Sequence, residues 1–331
     1  MGRKKSKQKL NVAVLAGGPS EDEHEVSLAT SKQVLANLDS SKFTPVHVVI
    51  SKDGNWSIPR EELKEKADIV FVALHGLYGE DGTVQQELEE MNISYTGSAP
   101  QPSALAMDKN ASLAVLRDNG FDVPETIYAT REDWEDKKRE SFLEDALGDL
   151  SFPVVIKPNK SGSSAGIFIV ENKNDALEAF RNIFATYPDC ITQPYIRGRE
   201  MTCGVLDDGD NSSALALIPT EIIPSLGDFF DYDSKYKKGG AKEITPAQLD
   251  KETLASLRNL SKKAHKVLGC SGMSRADFIL SEDGISYILE VNTIPGMTET
   301  SLLPQGAVAM GISFSDMLER IIKAGIYRCQ K

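Results

Sequence analysis

The stretch Phe278-Ile-Leu-Ser-Glu-Asp-Gly-Ile-Ser-Tyr-Ile-Leu-Glu-Val-Asn-Thr-Ile-Pro-Gly-Met-Thr-Glu-Thr300 is the most informative segment of this chain. Two short apolar runs flank a Glu-Asp-Gly turn, which is typical of a β-hairpin. We expect Asp277 to begin the first strand, and Glu290 and Asn292 to end the second. Because side chains alternate along a strand, Glu290 and Asn292 share one face, and the hairpin can bring Asp277 beside them. Two carboxylates and an amide oxygen predict a Mg²⁺ site, although a polar strand end in solvent also explains these residues.

The composition predicts a soluble cytosolic protein of two or three domains. With 331 residues and 40% hydrophobic content, the chain can fill more than one core. Its 37 Lys and Arg against 49 Asp and Glu give a net charge of −12, which argues against general binding to nucleic acid or anionic membranes. No apolar stretch approaches membrane-spanning length. The four cysteines have no paired spacing, as expected in a reducing cytosol.

The first hundred residues alternate strands and helices, which predicts a parallel sheet. Strands are expected at Asn11–Ala16, Pro45–Ile50 and Asp68–Leu74. Function in such a sheet concentrates at the carboxyl ends of the strands, where Glu23 and His75 are candidates. A carboxylate that complements a helix N-terminus is the alternative for Glu23, and a structural imidazole is the alternative for His75.

The pattern changes near Gly97-Ser98 into a different domain. Strands at Val154–Lys157 and Ile167–Val170 flank a loop of small residues that contains Ser163 and Ser164. Glycine amides and serine hydroxyls in such a loop can wrap a polyphosphate, and Lys157 would add an ammonium group. An ordinary flexible hairpin remains the alternative.

The final third is predicted to contain strands near Met201–Leu206 and Ala214–Ile223, and a helix at Ala247–Leu268. The long polar segment 224–246 carries Lys235 and Tyr236, and is either disordered or a lid over a site. After the metal hairpin, Gly296 and nearby free amides could form an oxyanion cradle or a plain turn.

Taken together, these segments resemble the D-alanine–D-alanine ligase family of the ATP-grasp superfamily. The resemblance runs from Asn11 to about Ile326, and its motifs occur in the family's order. Those motifs are Ala-Gly-Gly-Pro-Ser (16–20), Glu-His-Glu-Val-Ser (23–27), Leu-His-Gly (74–76), Gly-Glu-Asp-Gly-Thr (79–83), Tyr-Thr-Gly-Ser (95–98), Met-Asp-Lys (107–109), Val-Ile-Lys-Pro (155–158), Gly-Ser-Ser-Ala-Gly (162–166), Asp-Tyr-Asp-Ser-Lys-Tyr (231–236), Arg-Ala-Asp (275–277) and Glu-Val-Asn-Thr-Ile-Pro-Gly-Met-Thr (290–298).

The resemblance implies an α/β fold of the α+β ATP-grasp type. A Rossmann-like N-terminal substrate domain would span residues 1–97, with residues 1–9 as a disordered basic tail. A central ATP-grasp lobe with the phosphate loop would span 98–193. A C-terminal ATP-grasp lobe, with the lid loop 224–246 and the metal site, would span 194–331, and the two lobes would clamp the nucleotide.

The implied activity is ATP-dependent joining of two D-alanines through a D-alanyl phosphate, for peptidoglycan precursors. Catalytic roles are implied for Glu23, Ser163, Tyr236, Arg275 and Gly296. Substrate binding is implied for Glu23, His75, Lys235, Ser301 and Leu302. ATP contacts are implied for Lys109, Lys157, Ser163, Ser164, Gln193, Pro194, Ile196 and Glu200. Two Mg²⁺ or Mn²⁺ ions are implied at Asp277, Glu290 and Asn292.

One stretch departs from the family, because Gln193-Pro194 replaces the Glu-Lys that many members place at the adenine hinge. Gln193 can still accept a hydrogen bond from the adenine amino group, and Ile196 retains the N–H that Pro194 lacks. A ligase of the same fold that uses D-serine or D-lactate as acceptor is the nearest alternative, and a nucleotide-binding protein without ligase activity is another. We further expect a cytoplasmic homodimer that binds neither nucleic acid nor membranes.

Overall fold

The computed structural model describes residues 9–20, 23–162, 166–208, 214–224 and 241–330. Within these ranges the strands form three sheets, and none of the helices there is both long and apolar enough to cross a bilayer. Most of the predicted basic tail and of the predicted lid lie outside the described residues, as do Ser163, Ser164, Lys235 and Tyr236.

The first sheet is parallel and has the strand order β2-β1-β3-β4. Its elements are β1 (Leu10–Gly17), α1 (His24–Asn37), β2 (Phe43–Ile50), α2 (Arg60–Lys66), β3 (Ile69–Val72), α3 (Thr83–Glu90) and β4 (Ser94–Tyr95). Because β1 and β3 are adjacent, their carboxyl ends lie side by side, with Glu23 following one and His75 the other. This arrangement confirms the predicted parallel sheet.

The second sheet is antiparallel and has the strand order β5-β8-β6-β7. Its strands are β5 (Ile127–Thr130), β6 (Val154–Pro158), β7 (Phe168–Val170) and β8 (Asp189–Pro194). The helices in this part of the chain are α4 (Pro100–Met107), α5 (Lys109–Asp118), α6 (Arg131–Asp136), α7 (Arg139–Leu147) and α8 (Lys173–Thr186). One face of this sheet packs on a core that includes Trp134, Phe142, Phe180 and Phe184, whose rings contact one another. The other face is left to the cleft described below.

The third sheet has the order β12-β11-β9-β13-β14, with β10 paired to β9. Its elements are β9 (Gly198–Leu206), β10 (Leu215–Ala216), β11 (Thr220–Pro224), β12 (Ala241–Ile244), α9 (Lys251–Val267), β13 (Met273–Ser281) and β14 (Ser286–Asn292). Strands β13 and β14 form the predicted hairpin across the Glu-Asp-Gly turn.

Two helices follow the hairpin, α10 (Leu302–Ala309) and α11 (Phe314–Cys329). The last helix returns to the first sheet, where Met317, Leu318, Ile321 and Ile322 share a buried core with β1 and β3. An exposed ion pair between Lys42 and Glu319 links the same two regions at 2.7 Å. The division of the chain at residues 97 and 193 stays a prediction.

Three of the differences from the sequence predictions have a clear physical cause. Asp277 lies in the middle of β13, which begins at Met273 because it pairs with β9 along its whole length. Helix α9 begins at Lys251, since the Asp250 carboxylate accepts from the amides of Glu252 and Thr253 and caps it. The predicted strand 214–223 is two strands, interrupted before Pro219, which lacks the N–H that a ladder requires.

Candidate active site

A cleft of about 580 Å³ lies between the second and third sheets. This volume is within the range of small-molecule sites. Side chains from both sheets line it, together with Lys109 at the start of α5 and Leu302 at the start of α10. The cleft brings together most of the residues that the sequence analysis assigned to ATP.

Strand alternation decides which side chains of the second sheet face the cleft. Val154 and Ile156 belong to the core beneath the sheet, so Val155 and Lys157 point the other way. In the register of β6 and β8, Val155 lies opposite Gln193. The cleft face therefore changes along β6 from a charged residue, Lys157, to an apolar one, Val155.

The third sheet repeats this gradient. Arg275, Asp277 and Ile279 alternate along the cleft side of β13, so charge again gives way to an apolar side chain. We call the part of the cleft formed by Lys109, Lys157, Arg275, Asp277 and Glu290 the charged end. The part formed by Val155, Gln193, Ile196 and Ile279 is called the neutral end.

Lys157 is the most informative side chain of the charged end. It is 7% exposed, and its Nζ makes no hydrogen bond or ion pair among the described residues. Burial, together with the nearby charge of Lys109, lowers the pKa of Lys157 to about 8. A buried ammonium that faces a cleft in this way is prepared for an anionic ligand.

Lys109 contributes a second buried ammonium. Its Nζ donates to the carbonyl of Ser161 at 2.7 Å and lies 3.3 Å from Glu290 Oε2. These contacts connect the loop that follows β6 of the second sheet with the hairpin of the third.

The hairpin register places the predicted metal ligands together. Asp277 lies opposite Glu290, and Asn292 Nδ2 donates to Asp277 Oδ2 at 3.1 Å. Arg275 makes a two-pronged ion pair with Asp277, at 2.8 and 2.7 Å. Burial of Arg275 opposes its charge, but this ion pair outweighs the burial and raises its pKa. Thr202 also donates to Asp277, at 2.6 Å.

The chemistry of these donors fits a hard divalent cation. Carboxylate oxygens of Asp277 and Glu290 and the amide of Asn292 are oxygen-rich ligands of the kind that Mg²⁺ and Mn²⁺ use. Among the residues with described positions, no three His, Cys, Asp or Glu side chains are grouped to hold a metal by themselves. A metal here would therefore take further ligands from its substrate, as Mg²⁺ does with phosphates.

Glu80 is a site residue that the sequence analysis missed. Its carboxylate accepts from the amides of Gly76 at 3.0 Å and Ile294 at 3.3 Å. Burial raises its pKa to about 7, and the charge of Glu23 adds to this. The motif Gly79-Glu80-Asp81-Gly82 could have indicated a site residue in the sequence, but no function was assigned to Glu80.

His75 lies beside Glu80 and, like Glu80, binds the backbone of Ile294, which follows the predicted metal ligands in the chain. Its Nδ1 is 3.2 Å from the carbonyl of Ile294, and its Nε2 is 2.8 Å from Thr30 Oγ1. Both backbone groups of Ile294 are thus held, the N–H by Glu80 and the carbonyl by His75. In this structure the imidazole positions the loop that the sequence analysis linked to substrate.

Glu23 lies where the first region meets the phosphate loop. It is buried, it precedes α1, and its side chain makes no capping hydrogen bond to that helix. A Cβ on Gly162 would stand 2.8 Å from its Oε1, and a Cβ on Gly76 would stand 2.9 Å from its Cγ. Glycine at these two positions leaves room for the carboxylate. The macrodipole alternative is better met by Glu25, which lies in the first turn of α1 and is exposed.

Gly296, Ser301 and Leu302 form the turn into α10. The Ser301 hydroxyl accepts from the Thr298 amide at 2.9 Å, and a Cβ on Gly296 would lie 2.9 Å from the Ser301 oxygen. Leu302 lines the cleft. The turn therefore reaches the cleft through Leu302, and any role in binding a carboxylate or an oxyanion stays a prediction.

At the neutral end, Gln193, Pro194 and Ile196 line the cleft where β8 ends. Within the described residues, the N–H of Ile196 makes no hydrogen bond and is available as a donor. Glu200 lies opposite Ile279 in the register of β9 and β13, so its carboxylate is at the level of the neutral end.

Two antiparallel sheets that enclose a cleft with buried cations at one end define an ATP-grasp enzyme. Two family models match this chain. The model described as D-ala D-ala ligase N-terminus matches residues 11–65 and 57–98, and the model described as D-ala D-ala ligase C-terminus matches residues 115–323. The chain therefore belongs to the D-alanine–D-alanine ligase family, as its motifs predicted.

Individual relatives agree with this assignment. The chain is 41% identical over 323 residues to the D-alanine–D-alanine ligase of Syntrophobacter fumaroxidans, covering 97% of this chain and 99% of that one. The structure of D-alanine–D-alanine ligase from Bacillus anthracis complexed with ATP matches with a TM-score of 0.80 at 34% identity, covering 98% and 99%. A D-Ala:D-Ser ligase from Enterococcus faecalis matches with a TM-score of 0.83 at 31% identity, covering 96% and 100%.

Proposed function

We propose that this chain joins two molecules of D-alanine into D-alanyl-D-alanine at the expense of ATP, for peptidoglycan precursors. The observation that carries the proposal is the buried Lys157, which faces the cleft without an ion-pair partner among the described residues. An ammonium in that position is stabilised when a phosphate chain fills the cleft. Its ligands would be the small molecules ATP and D-alanine.

The first step is attack of one D-alanine carboxylate oxygen on the γ-phosphorus, with ADP as the leaving group. The second is attack of the amine of another D-alanine on the carbonyl carbon of the acyl phosphate, with loss of inorganic phosphate. Lys109 and Lys157 bind the phosphate chain and hold it in line with the attacking oxygen.

Arg275 supports both steps from the charged end. Its guanidinium is held by Asp277, so it stands ready to stabilise negative charge that develops on the carbonyl oxygen. Gly296 contributes a backbone N–H to the same oxygen. Two Mg²⁺ or Mn²⁺ ions, held by Asp277, Glu290 and Asn292, would supply neutralisation of the β- and γ-phosphate oxygens.

The remaining roles concern the substrates. Glu23 binds the ammonium of the first D-alanine, with His75 shaping the same pocket, and Ser301 with the Leu302 amide binds the carboxylate of the second. Ser163 and Ser164 add hydroxyls to the phosphate loop. Lys235 and Tyr236 belong to a lid that closes over the acyl phosphate and excludes water. These assignments rest on the family's motifs at matching positions.

Phosphate release and product mass test the function directly. Purified protein is given ATP, Mg²⁺ and D-alanine, then D-alanine with equal D-serine or D-lactate. We expect D-alanyl-D-alanine as the main product, with dipeptide rising between about pH 7 and 9 as the attacking amine loses its proton. Predominant D-alanyl-D-serine or depsipeptide at pH 8 would assign the chain to a ligase with another acceptor.

Partners and location follow from this chemistry as further proposals. We infer a cytoplasmic enzyme, because its nucleotide substrate is supplied there and its four cysteines are free. The net charge of −12 disfavours nucleic acid and anionic membranes. A homodimer is proposed from the family resemblance, and sedimentation equilibrium measures it.

A further inference from the structure

A directed chain of hydrogen bonds holds the amide of Gln193 at the neutral end of the cleft. Gln193 is 2% exposed, and its Nε2 donates to Thr126 Oγ1 at 2.9 Å. The Thr126 hydroxyl donates in turn to the carbonyl of Pro124 at 2.9 Å. Arg117 also donates to this carbonyl, at 3.2 Å, and helps to fix its position. A hydroxyl has one proton, so the chain runs in one direction only.

The opposite orientation of the amide is less favourable. If Gln193 turned its oxygen toward Thr126, the Thr126 hydroxyl would have to leave Pro124 in order to donate to it. The observed orientation therefore keeps one more hydrogen bond than the flipped one. It also leaves Gln193 Oε1 as the group presented to the cleft, where this atom makes no hydrogen bond among the described residues.

We propose that Thr126 is a positioning residue for base selection: through Gln193 it makes the site prefer a 6-aminopurine nucleotide over a 6-oxopurine one. The inference rests on the proposed use of ATP and concerns which purine the cleft accepts. A 6-amino group donates to Gln193 Oε1, whereas a 6-oxo group would place two acceptor oxygens against each other. Thr126 itself does not line the cleft, so it acts on the base only through Gln193.

The chemistry explains why an amide needs this support. A carboxylate at position 193 accepts hydrogen bonds whichever way it is turned, but an amide presents an acceptor in one orientation and a donor in the other. Base selection by Gln193 thus depends on a neighbouring residue that binds Nε2 in preference to Oε1 and so fixes the orientation of the amide. Thr126 is that neighbour.

The test is the ratio of ATP to ITP affinity, measured by displacement of a fluorescent ATP analogue from the full chain. ITP has a 6-oxo group in place of the 6-amino group and an N1–H in place of the N1 acceptor, so the test is the change in the ratio between variants, to which the N1 difference contributes equally. We expect Thr126→Val to reduce the ATP preference about fivefold, the equivalent of one net hydrogen bond, and Thr126→Ser to retain it. Thr126→Ala repeats the test with a smaller side chain if the valine variant does not fold.

A matched control is available on the adjacent strand position. Thr192 precedes Gln193 on β8 and points to the opposite face of the sheet, and its buried hydroxyl has no hydrogen-bond partner within the described part of the chain. Thr192→Val makes the same chemical change beside the same residue and should leave the ATP to ITP ratio unaltered.

A second arm isolates the orientation effect. In a Gln193→Glu background, Thr126→Val should no longer change the ratio, because the carboxylate has no wrong orientation. An unchanged ratio in the single Thr126→Val variant would overturn the inference, as would an equal loss in the Glu background. The displacement assay measures nucleotide binding and needs no turnover. Absence of D-alanine-dependent phosphate release would therefore contradict the proposed ligase function but not the inference about Thr126.

Discussion

The charged end of the cleft holds five ionisable side chains that contact or face one another, whereas the neutral end is formed by an amide and aliphatic groups, with Glu200 as a charged residue at its level. At the charged end, Arg275 is paired with Asp277 and Lys109 with Glu290, while Lys157 has no ion-pair partner among the described residues. At the neutral end, a single directed hydrogen bond orients Gln193. Both ends belong to the same two sheets.

This difference indicates that the two ends have different functions, phosphate binding at the charged end and base selection at the neutral end. Buried charges interact strongly, so the charged end can bind and activate a phosphate chain, and losing one of its groups should be severe. A neutral hydrogen bond contributes about 1 kcal/mol, so the neutral end can choose between similar bases but cannot drive the reaction. The effects of substitution should therefore decrease from one end to the other.

The largest effect is expected for Glu290→Gln at the charged end. The variant keeps the shape of the side chain but removes a carboxylate that would help to hold the metal ions, so kcat/KM should fall by at least about 1000-fold. Phosphate release at varied ATP concentration, with saturating D-alanine, measures kcat/KM for ATP. Glu282→Gln, in the exposed turn of the same hairpin, is the control and should retain activity. Near-normal turnover by Glu290→Gln would show that this hairpin does not hold the metal.

Lys157→Met should weaken ATP binding by about 100-fold, since a buried charge-assisted contact to phosphate is lost. Lys160→Met, in the loop that directly follows the strand of Lys157 and about half exposed, is the matched control. The lowered pKa of Lys157, about 8, adds a pH dependence, because the ammonium is lost as the pH rises through this value. ATP affinity of the wild type should fall above pH 8 by up to about tenfold per pH unit, and this fall should be absent in Lys157→Met.

Glu80→Gln should change how stability depends on pH. Burial raises the pKa of Glu80 from 4.5 to about 7, so the folded state keeps a proton that the unfolded chain releases between these values. The free energy of unfolding of the wild type should therefore fall, relative to the variant, as the pH rises from about 4.5 to 7, by up to about 3 kcal/mol. Urea unfolding at pH 5 and pH 7.5 measures this. Parallel curves for the two proteins would contradict the raised pKa.

The smallest effect is expected for Glu200→Gln, at the level of the neutral end, where the family resemblance implies that Glu200 binds the ribose hydroxyls of ATP. The amide can still accept a hydrogen bond from a ribose hydroxyl, but without the charge, so ATP affinity should fall only about fivefold. With 2′,3′-dideoxy-ATP, which lacks those hydroxyls, the wild type and the variant should bind equally. A loss of the same size with both nucleotides would remove Glu200 from the ribose contact.

The parts of the site that could be predicted from the sequence are local in the chain. The hairpin of Asp277 and Glu290 follows from strand alternation on both sides of a turn, and its register places the two acids opposite each other. The parallel sheet likewise follows from alternating strands and helices. In each of these cases neighbouring residues carry the signal.

The parts that could not be predicted depend on contacts between distant segments. Glu80 reaches the amide of Ile294, which is 214 residues away, and its raised pKa comes from burial that this packing creates. The pairing of Gln193 with Thr126 likewise needs β5 and β8 to be neighbours. An apolar stripe on α11 predicts a buried face, but it does not indicate which sheet covers that face.

The position of α11 also determines the order in which the protein can complete its folding during synthesis. The first sheet leaves the ribosome early, yet its core lacks Met317, Leu318, Ile321 and Ile322 until the end of the chain is made. The second sheet is different, because its core is closed by helices within residues 131–186. The sheet that is translated before the other two is therefore completed last, and a nascent chain that stops before α11 exposes the apolar surface that this helix would cover.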